Sequence, residues 1–357
     1  MEPAEHDETP PRKRALAVDL SLLGLVGVLL IAALAATGVI LYREFYSPTA
    51  YAMRYLSLLQ EHRAADALEM PGVRIDSVEL DAAALPAGAS DALLRQAAMG
   101  RLTDIEPLSE RTEQGVTHVT IAYTAQGTPG TTTFSIAQDG WIGVVPAWRF
   151  TQSPLGVVSL TVRGSMRFAV NGFEIDKRQV APEGMDADPL APVSMLVFSP
   201  GIYSVTVDTA IAHSDGVLVL ADAPLHNTPI DIQAEPTQEF IDVVQQEVDG
   251  FLDACATQQV LQPTGCPFGR IVANRIVAPP EWSISDYPRV QLEPDGANWR
   301  IAPAPGSAHI DVNVRSLFDG SVRELDEDVE FMLDGTISVL PDGSVSIRVG
   351  GGEHRLD

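Results

Sequence analysis

From Leu20 to Tyr42 the chain reads LSLLGLVGVLLIAALAATGVILY, without a single charge. At 1.5 Å of rise per residue this run predicts about 35 Å of helix, enough to cross a hydrocarbon core of roughly 30 Å. A helix buried in a soluble core would keep a polar stripe, and this one has none. Residues 20–42 therefore read as a transmembrane helix with the lipid bilayer as its partner. The segments on its two sides must then occupy different compartments.

Direction comes from the flanks. Arg12, Lys13 and Arg14 stand just before the apolar run, while Arg43 after it is balanced by Glu44. Basic flanks stay in the cytoplasm, so residues 1–19 read as a cytoplasmic tail and residues 47–357 as exported. Tyr42, Phe45 and Tyr46 suit an aromatic belt at the outer interface. The expected placement is a single-pass protein of the cell membrane, N-terminus cytoplasmic and ectodomain extracellular. Ala33-Leu34-Ala35 has the small-x-small form of a signal-peptidase site, yet the apolar run continues from Ala36 to Tyr42, as an anchor does. Both readings export the remainder. The tail is too short for a folded domain, and Gly24 and Gly27 lack the spacing of a helix-dimer motif.

Of the formal net charge of −25, residues 1–42 carry −2 and the remainder −23. Such an acidic surface repels nucleic acid and anionic lipid headgroups, so neither is an expected partner of the ectodomain. With 45% apolar residues in 357, the chain can bury real cores and is long enough for two or three domains. Lysine occurs only at Lys13 and Lys177, and arginine supplies the other positive charge. That bias, with abundant Ala, Val and Gly, is the usage of GC-rich bacterial genomes.

The exported part divides into three blocks. In residues 47–150, Ser47-Pro48 offers an N-cap and a proline at the first helical position. A helix is predicted through Tyr51, Tyr55, Leu58, Leu59 and Leu68, with a second helical stretch over Asp91–Met99. Val119, Ile121 and Tyr123 then alternate with polar or small residues, as do Phe134 and Ile136, the period of a half-buried strand. Asp139-Gly140 is expected to turn the chain toward Trp141 and Trp148. Residues 154–232 read as a small all-β domain. Asn171-Gly172 between Met166–Val170 and Phe173–Ile175 is a type I′ hairpin signal, Tyr203, Val205 and Val207 alternate, and Arg178–Pro192 reads as a loop. In residues 236–350, Pro236 is expected to open a helix carrying Phe240, Val243, Val244, Val248, Phe251 and Leu252 on one face. Strands are expected next at Ile310–Val314, Val329–Leu333, Ile337–Leu340 and Val345–Val349, the last two around Pro341-Asp342-Gly343. The first and third blocks share a helix-led α+β grammar, and residues 351–357 form a C-terminal tail. The fold class is α+β behind an N-terminal transmembrane helix.

Two cysteines, Cys255 and Cys266, both lie in the exported part. An even count in an oxidising compartment argues for a disulfide, and their spacing is not that of a redox pair. The seven histidines are scattered without zinc spacing. Glu183, Asp186 and Asp188, and the run Glu324, Asp326, Glu327, Asp328 and Glu330, read as solvated acidic segments rather than calcium sites. No serine-nucleophile or phosphate-loop motif is present, and no cofactor is expected. One catalytic arrangement is conceivable: Tyr51, Tyr55, His62, Asp66 and His118 converging in a cone-shaped pocket of the first block, where they would suit general acid-base work.

The first block, with its VTHVTIAYTAQG…TTTFSIAQDGW meander, resembles NTF2-like domains of the lumazine-binding-like type. The middle block, with FAVNGFEI and SPGIYSVTV, resembles the β-domain of teicoplanin-resistance-associated (TcaA-like) membrane proteins. The layout is similar to that of actinobacterial-type single-pass envelope proteins, although the tail lacks the cysteines of the zinc ribbon common in that group. The resemblance implies two NTF2-like domains flanking a TcaA-like β-domain. The expected function is a non-catalytic envelope module that binds a cell-wall component or an envelope protein. The alternative is an exported enzyme or small-ligand binder using the first block's pocket.

Overall fold

The computed structural model describes residues 13–143, 145–340 and 344–351. Arg12, the segment Pro341-Asp342-Gly343 and the residues after Gly351 lie outside these, as do the side chains of Lys13 and Arg14. The chain is α+β with strands predominating, preceded by one long apolar helix, α1 (Lys13–Phe45). Among the described residues α1 alone is long and apolar enough to cross a membrane, and its segment Ser21–Gly38 is not covered by any other part of the protein. The helix extends past both ends of the apolar run. Thr37 Oγ1 donates back to the Ala33 carbonyl at 2.8 Å, which satisfies the hydroxyl within the helix.

Next come α2 (Pro48–Gln60), α3 (Ala64–Glu69) and α4 (Ser77–Ala82). Ser47 Oγ caps α2 by accepting from Ala50 N at 3.1 Å. The single helix expected through Leu68 is broken: His62 takes a left-handed conformation with φ 56° and ends α2. The helix expected over Asp91–Met99 does not form, and only Gln96–Ala98 make a 3-10 turn. Ser90 instead lies beside the middle block, its amide donating to Ser194 O at 2.9 Å and its carbonyl accepting from Leu196 N at 2.8 Å. Leu93 and Ala98 are then drawn into that block's core. Burial overrides the helical propensity of this segment.

Four antiparallel strands come next in simple order: β1 (Leu102–Glu113), β2 (Val116–Ala125), β3 (Thr128–Ile142) and β4 (Val145–Phe150). Val119, Ile121, Tyr123, Phe134 and Ile136 face inward, as their alternation requires, and Tyr55, Leu56 and Leu59 of α2 fill the space over them. Asp139-Gly140 does not reverse the chain. It forms a bulge in β3, with Gly140 at φ 89°, and the reversal comes after Ile142.

The middle region holds β5 (Leu155–Arg163), β6 (Arg167–Val170), β7 (Phe173–Asp176), β8 (Val193–Phe198), β9 (Gly201–Thr206), β10 (Ala212–His213), β11 (Val217–Ala221), β12 (Asn227–Gln233) and β13 (Glu235–Pro236). Two main sheets, ordered β12-β5-β8 and β11-β9-β6-β7, share one core. The region is not purely β: α5 (Lys177–Val180) and a 3-10 turn at Gly184–Asp186 interrupt the expected loop. Asn171 and Gly172 both adopt positive φ, 50° and 84°, as the hairpin signal requires. The outer face of β5 and β8 is covered by Leu80 and Leu85 of the first block.

The last region carries α6 (Gln238–Ala256) on a sheet of β14 (Arg275–Ile276), β15 (Glu281–Asp286), β16 (Leu292–Asp295), β17 (Asn298–Arg315), β18 (Val322–Val339) and β19 (Val345–Gly351). Pro236 belongs to β13 rather than the helix. Thr237 is the N-cap, its Oγ1 accepting from Phe240 N at 3.2 Å. Phe240, Val244, Val248, Leu252 and Cys255 are buried, whereas Val243 faces solvent. The two strands expected at 329–333 and 337–340 are one, β18. The hydrophobic core runs unbroken from the middle sheets into this region, with Trp299 edge-on to Phe240 at 6.2 Å.

Candidate functional site

The five residues considered for a catalytic pocket do not converge as a set: Tyr51 and Tyr55 both pack on Phe150, while His118 lies on the polar face of the sheet. Tyr55 is fully buried, set edge-on to Phe134 at 5.7 Å and Phe150 at 5.4 Å, and its hydroxyl donates to Ser199 O at 3.2 Å. Burial raises its pKa well above the ordinary tyrosine value, so it remains a proton donor. Tyr51 donates to Pro71 O at 2.8 Å, and burial raises its phenol as well. Asp66 is held by Arg63 Nε at 2.7 Å on an exposed helix turn, next to the backbone break at His62. His118 belongs to the polar row of β2 and shares a hydrogen bond with Ser135 at 3.1 Å, opposite the face that carries Val119 and Ile121. The cone is filled by aromatic side chains, and Tyr51 and Asp66 line only an open hollow on its outside.

The cysteines do meet. Cys255, on the buried face of α6, is disulfide-bonded to Cys266 in the adjoining loop. Among the described residues no group of three or more His, Cys, Asp and Glu side chains is arranged to hold a metal ion. The acidic run along β18 alternates faces. Glu327 points inward to Arg270 Nε at 2.7 Å, while Asp326 and Asp328 flank His309 at 3.1 and 3.0 Å.

A concave feature with convergent polar groups lies in the middle region. All four residues of β6 pair with β7, yet β6 meets β9 only at Ala169↔Thr206 and Val170↔Val205 among the described residues. Past Thr206 the chain turns away to pair with itself, Thr209 N donating to Ala212 O at 2.9 Å and Ser214 N to Val207 O at 2.9 Å. The sheet therefore splits, and a cleft of about 750 Å³ opens between Arg167–Ala169 and Thr206–Ala210, with Glu174, Asp176 and Gln179 along its other wall. Arg167, Thr209 and Ala210 also border a smaller apolar recess of about 150 Å³ lined by Met166, Ile211, Val339 and Leu340. Together they form a groove that leads from the split sheet to the seam with the last region, a favoured location for ligand sites.

Charge in the groove is organised by Asp176. It accepts from Arg178 Nε at 2.8 Å and Nη2 at 2.5 Å, accepts from the Arg178 amide at 3.0 Å, and has Arg167 Nε 3.7 Å away. The Arg178 fork holds its carboxyl below the ordinary aspartate value. Next to it, Lys177 is only 2% exposed and its ammonium donates to the carbonyls of Asp188, at 2.6 Å, Pro189, at 2.9 Å, and Ala191. Burial pushes its pKa down, opposed by the charges of Asp188 and Glu183. This ammonium ties the loop after α5 to β7 and so fixes the groove wall. Arg167 itself is exposed, with room to meet an anionic or hydrogen-bond-accepting group.

Arg167, Asp176, Arg178 and Ala210 form no motif, because a long stretch of chain and a long-range strand pairing separate the two walls. The one local hint was the Asn171-Gly172 turn, which sets β6 against β7. Neither a family model, nor a curated protein, nor a solved structure matches this chain.

Proposed function

We propose that this chain is a membrane-anchored extracytoplasmic protein whose ectodomain is a non-catalytic binding module for a cell-wall component or an envelope protein. The observation that carries the reading is the uncovered helix Ser21–Gly38, whose exposed leucines, isoleucine and valines need lipid. The basic flank Arg12, Lys13 and Arg14 supports a cytoplasmic tail over residues 1–19 and an exported region over residues 47–357. The Cys255–Cys266 bond suits an oxidising compartment.

The domain reading is two NTF2-like units around a TcaA-like β-unit. In support, α2 fills a four-stranded antiparallel sheet, α6 lies on a second antiparallel sheet, and paired β-sheets stand between them. The groove at Arg167 and Ala210 is the binding surface of this reading. Its polar cleft and apolar recess offer hydrogen-bonding and apolar contacts side by side, as recognition of a wall fragment or an extended peptide requires.

Two measurements test it. Protease added to intact cells should degrade the C-terminal region, and protection of that region would remove the placement. Full-length protein in detergent should retain wall fragments or an envelope protein from extracts, and an Arg167→Ala variant should retain less. Equal retention by both would detach the function from the groove.

A further inference from the structure

The hairpin formed by β3 and β4 ends in two large apolar side chains that nothing covers: Trp141 is 66% exposed and Ile142 73%. Its position is fixed by three contacts with α2 and the junction before it. At the base, Phe134 and Phe150 meet the Tyr55 ring. Further out, Phe150 meets the Tyr51 ring at 5.1 Å, and the charges of Asp139 and Arg149 act on the Tyr51 hydroxyl. Beyond that, Trp148 Nε1 donates to the Tyr46 carbonyl at 2.9 Å. Moving outward along the hairpin is therefore moving backward along α2, from Tyr55 to Tyr51 to Tyr46, toward the end of α1.

From Trp148 to Val145 the hairpin continues for three residues, about 10 Å at strand rise. From Tyr46 back to Tyr42, where the apolar run ends, is about 6 Å of helix. Trp141 and Ile142, paired with Pro146 and Val145, therefore lie within about 10 Å of strand of the residue that touches the end of α1. Tyr42, Phe45 and Tyr46 are exposed at that same end. Trp and Tyr prefer the bilayer–water boundary, where an apolar ring and a polar N–H or O–H are both satisfied.

We propose that the β3–β4 tip is a second membrane contact: Trp141 and Ile142 insert into the outer interface of the bilayer beside α1. Their docking holds the first unit against the membrane. The occupant is the interfacial layer itself, engaged through apolar insertion. Attraction to anionic headgroups is not required, and the acidity of the ectodomain opposes it. This inference rests on α1 being a membrane anchor, and its test separates the two.

The full-length chain is reconstituted in phosphatidylcholine vesicles with an environment-sensitive fluorophore on one introduced cysteine. The native cysteines are paired, so the introduced thiol is the one that reacts. The positions are Trp141→Cys, Ile142→Cys, Leu30→Cys within α1, and Phe318→Cys on the fully exposed β17–β18 turn. Emission from 141 and 142 should be blue-shifted relative to 318 and quenched by a lipid carrying a nitroxide near its headgroup. Emission from 30 should be quenched by a lipid with the nitroxide deep in its chain. Water-like emission at both 141 and 142 with quenching at 30 overturns the hairpin contact and leaves the anchor standing. Absence of quenching at 30 overturns the anchor and the hairpin contact with it.

Discussion

Tyr55 donates its hydroxyl proton to the carbonyl oxygen of Ser199, a residue 144 positions later in the chain. The bond joins the helix of the first unit to the strand connection of the middle one, inside a core that also takes in Leu155, Phe198 and Ile202. The first and middle units therefore stabilise each other. Tyr55→Phe should cost about 1 kcal/mol, because it leaves one buried carbonyl without its donor. Tyr55→Ala should cost about 3–5 kcal/mol by adding a cavity among Phe134 and Phe150. Denaturant midpoints of both variants measure this, and an unperturbed Tyr55→Ala would contradict a shared core.

The bond between Cys255 and Cys266 closes a short loop against the end of α6. Replacing both cysteines by serine should lower stability by about 2–3 kcal/mol, chiefly through the unfolded chain. Mass spectrometry of protein taken from cells without reductant should find the pair oxidised. Free thiols there would argue against an exported ectodomain.

Asp176 gives a pH dependence whose sign is set. Its folded pKa lies below the unfolded value because Arg178 grips the carboxylate. The stability it contributes is present above the unfolded pKa, near 4, and is lost as pH falls through the lower folded value. Asp176→Asn should be less stable than the parent by roughly 1–3 kcal/mol at neutral pH. The gap should close below about pH 4. Melting temperatures of the pair across pH 2–7 decide it; a constant gap refutes the assignment.

Lys177 is a buried cation held by carbonyl oxygens, and Lys177→Met should leave those acceptors unpaired. A loss of about 2–4 kcal/mol is expected. Proteolysis should begin in the loop after α5, which that ammonium anchors. Cleavage that starts elsewhere would show that the tie is dispensable.

Ala210 stands exposed where the polar cleft meets the apolar recess. Under the proposed binding role, Ala210→Trp should fill the groove, abolish retention of wall or envelope material from extracts and leave the melting temperature within about 1 °C, as surface changes do. Retention at the parental level would move the binding surface elsewhere.

Local chemistry made part of this architecture legible from the residues alone. The uncharged run in α1 specifies a long apolar helix that no other part of the protein covers. Alternation at Val119, Ile121 and Tyr123 specifies an inward strand row, and Asn171-Gly172 specifies a turn that only residues tolerant of positive φ make easily. The even cysteine count predicts the disulfide between Cys255 and Cys266. These signals lie within a few residues of one another, so short-range sterics and burial periodicity carry them.

Tertiary contact decided the rest. Asp91–Met99 has helical composition but forms only turns and the 3-10 turn Gln96–Ala98, since Ser90 bonds to Ser194 and Leu196 and burial of Leu93 outweighs propensity. The catalytic constellation dissolved because strand pleat puts His118 on the polar face while packing drives Tyr55 into the core. The groove exists because the long-range pairing of β6 with β9 ends after two pairs, where Val207–Ser214 folds back on itself. Pairings of that range depend on which distant surfaces bury one another, and no local window of sequence contains that information.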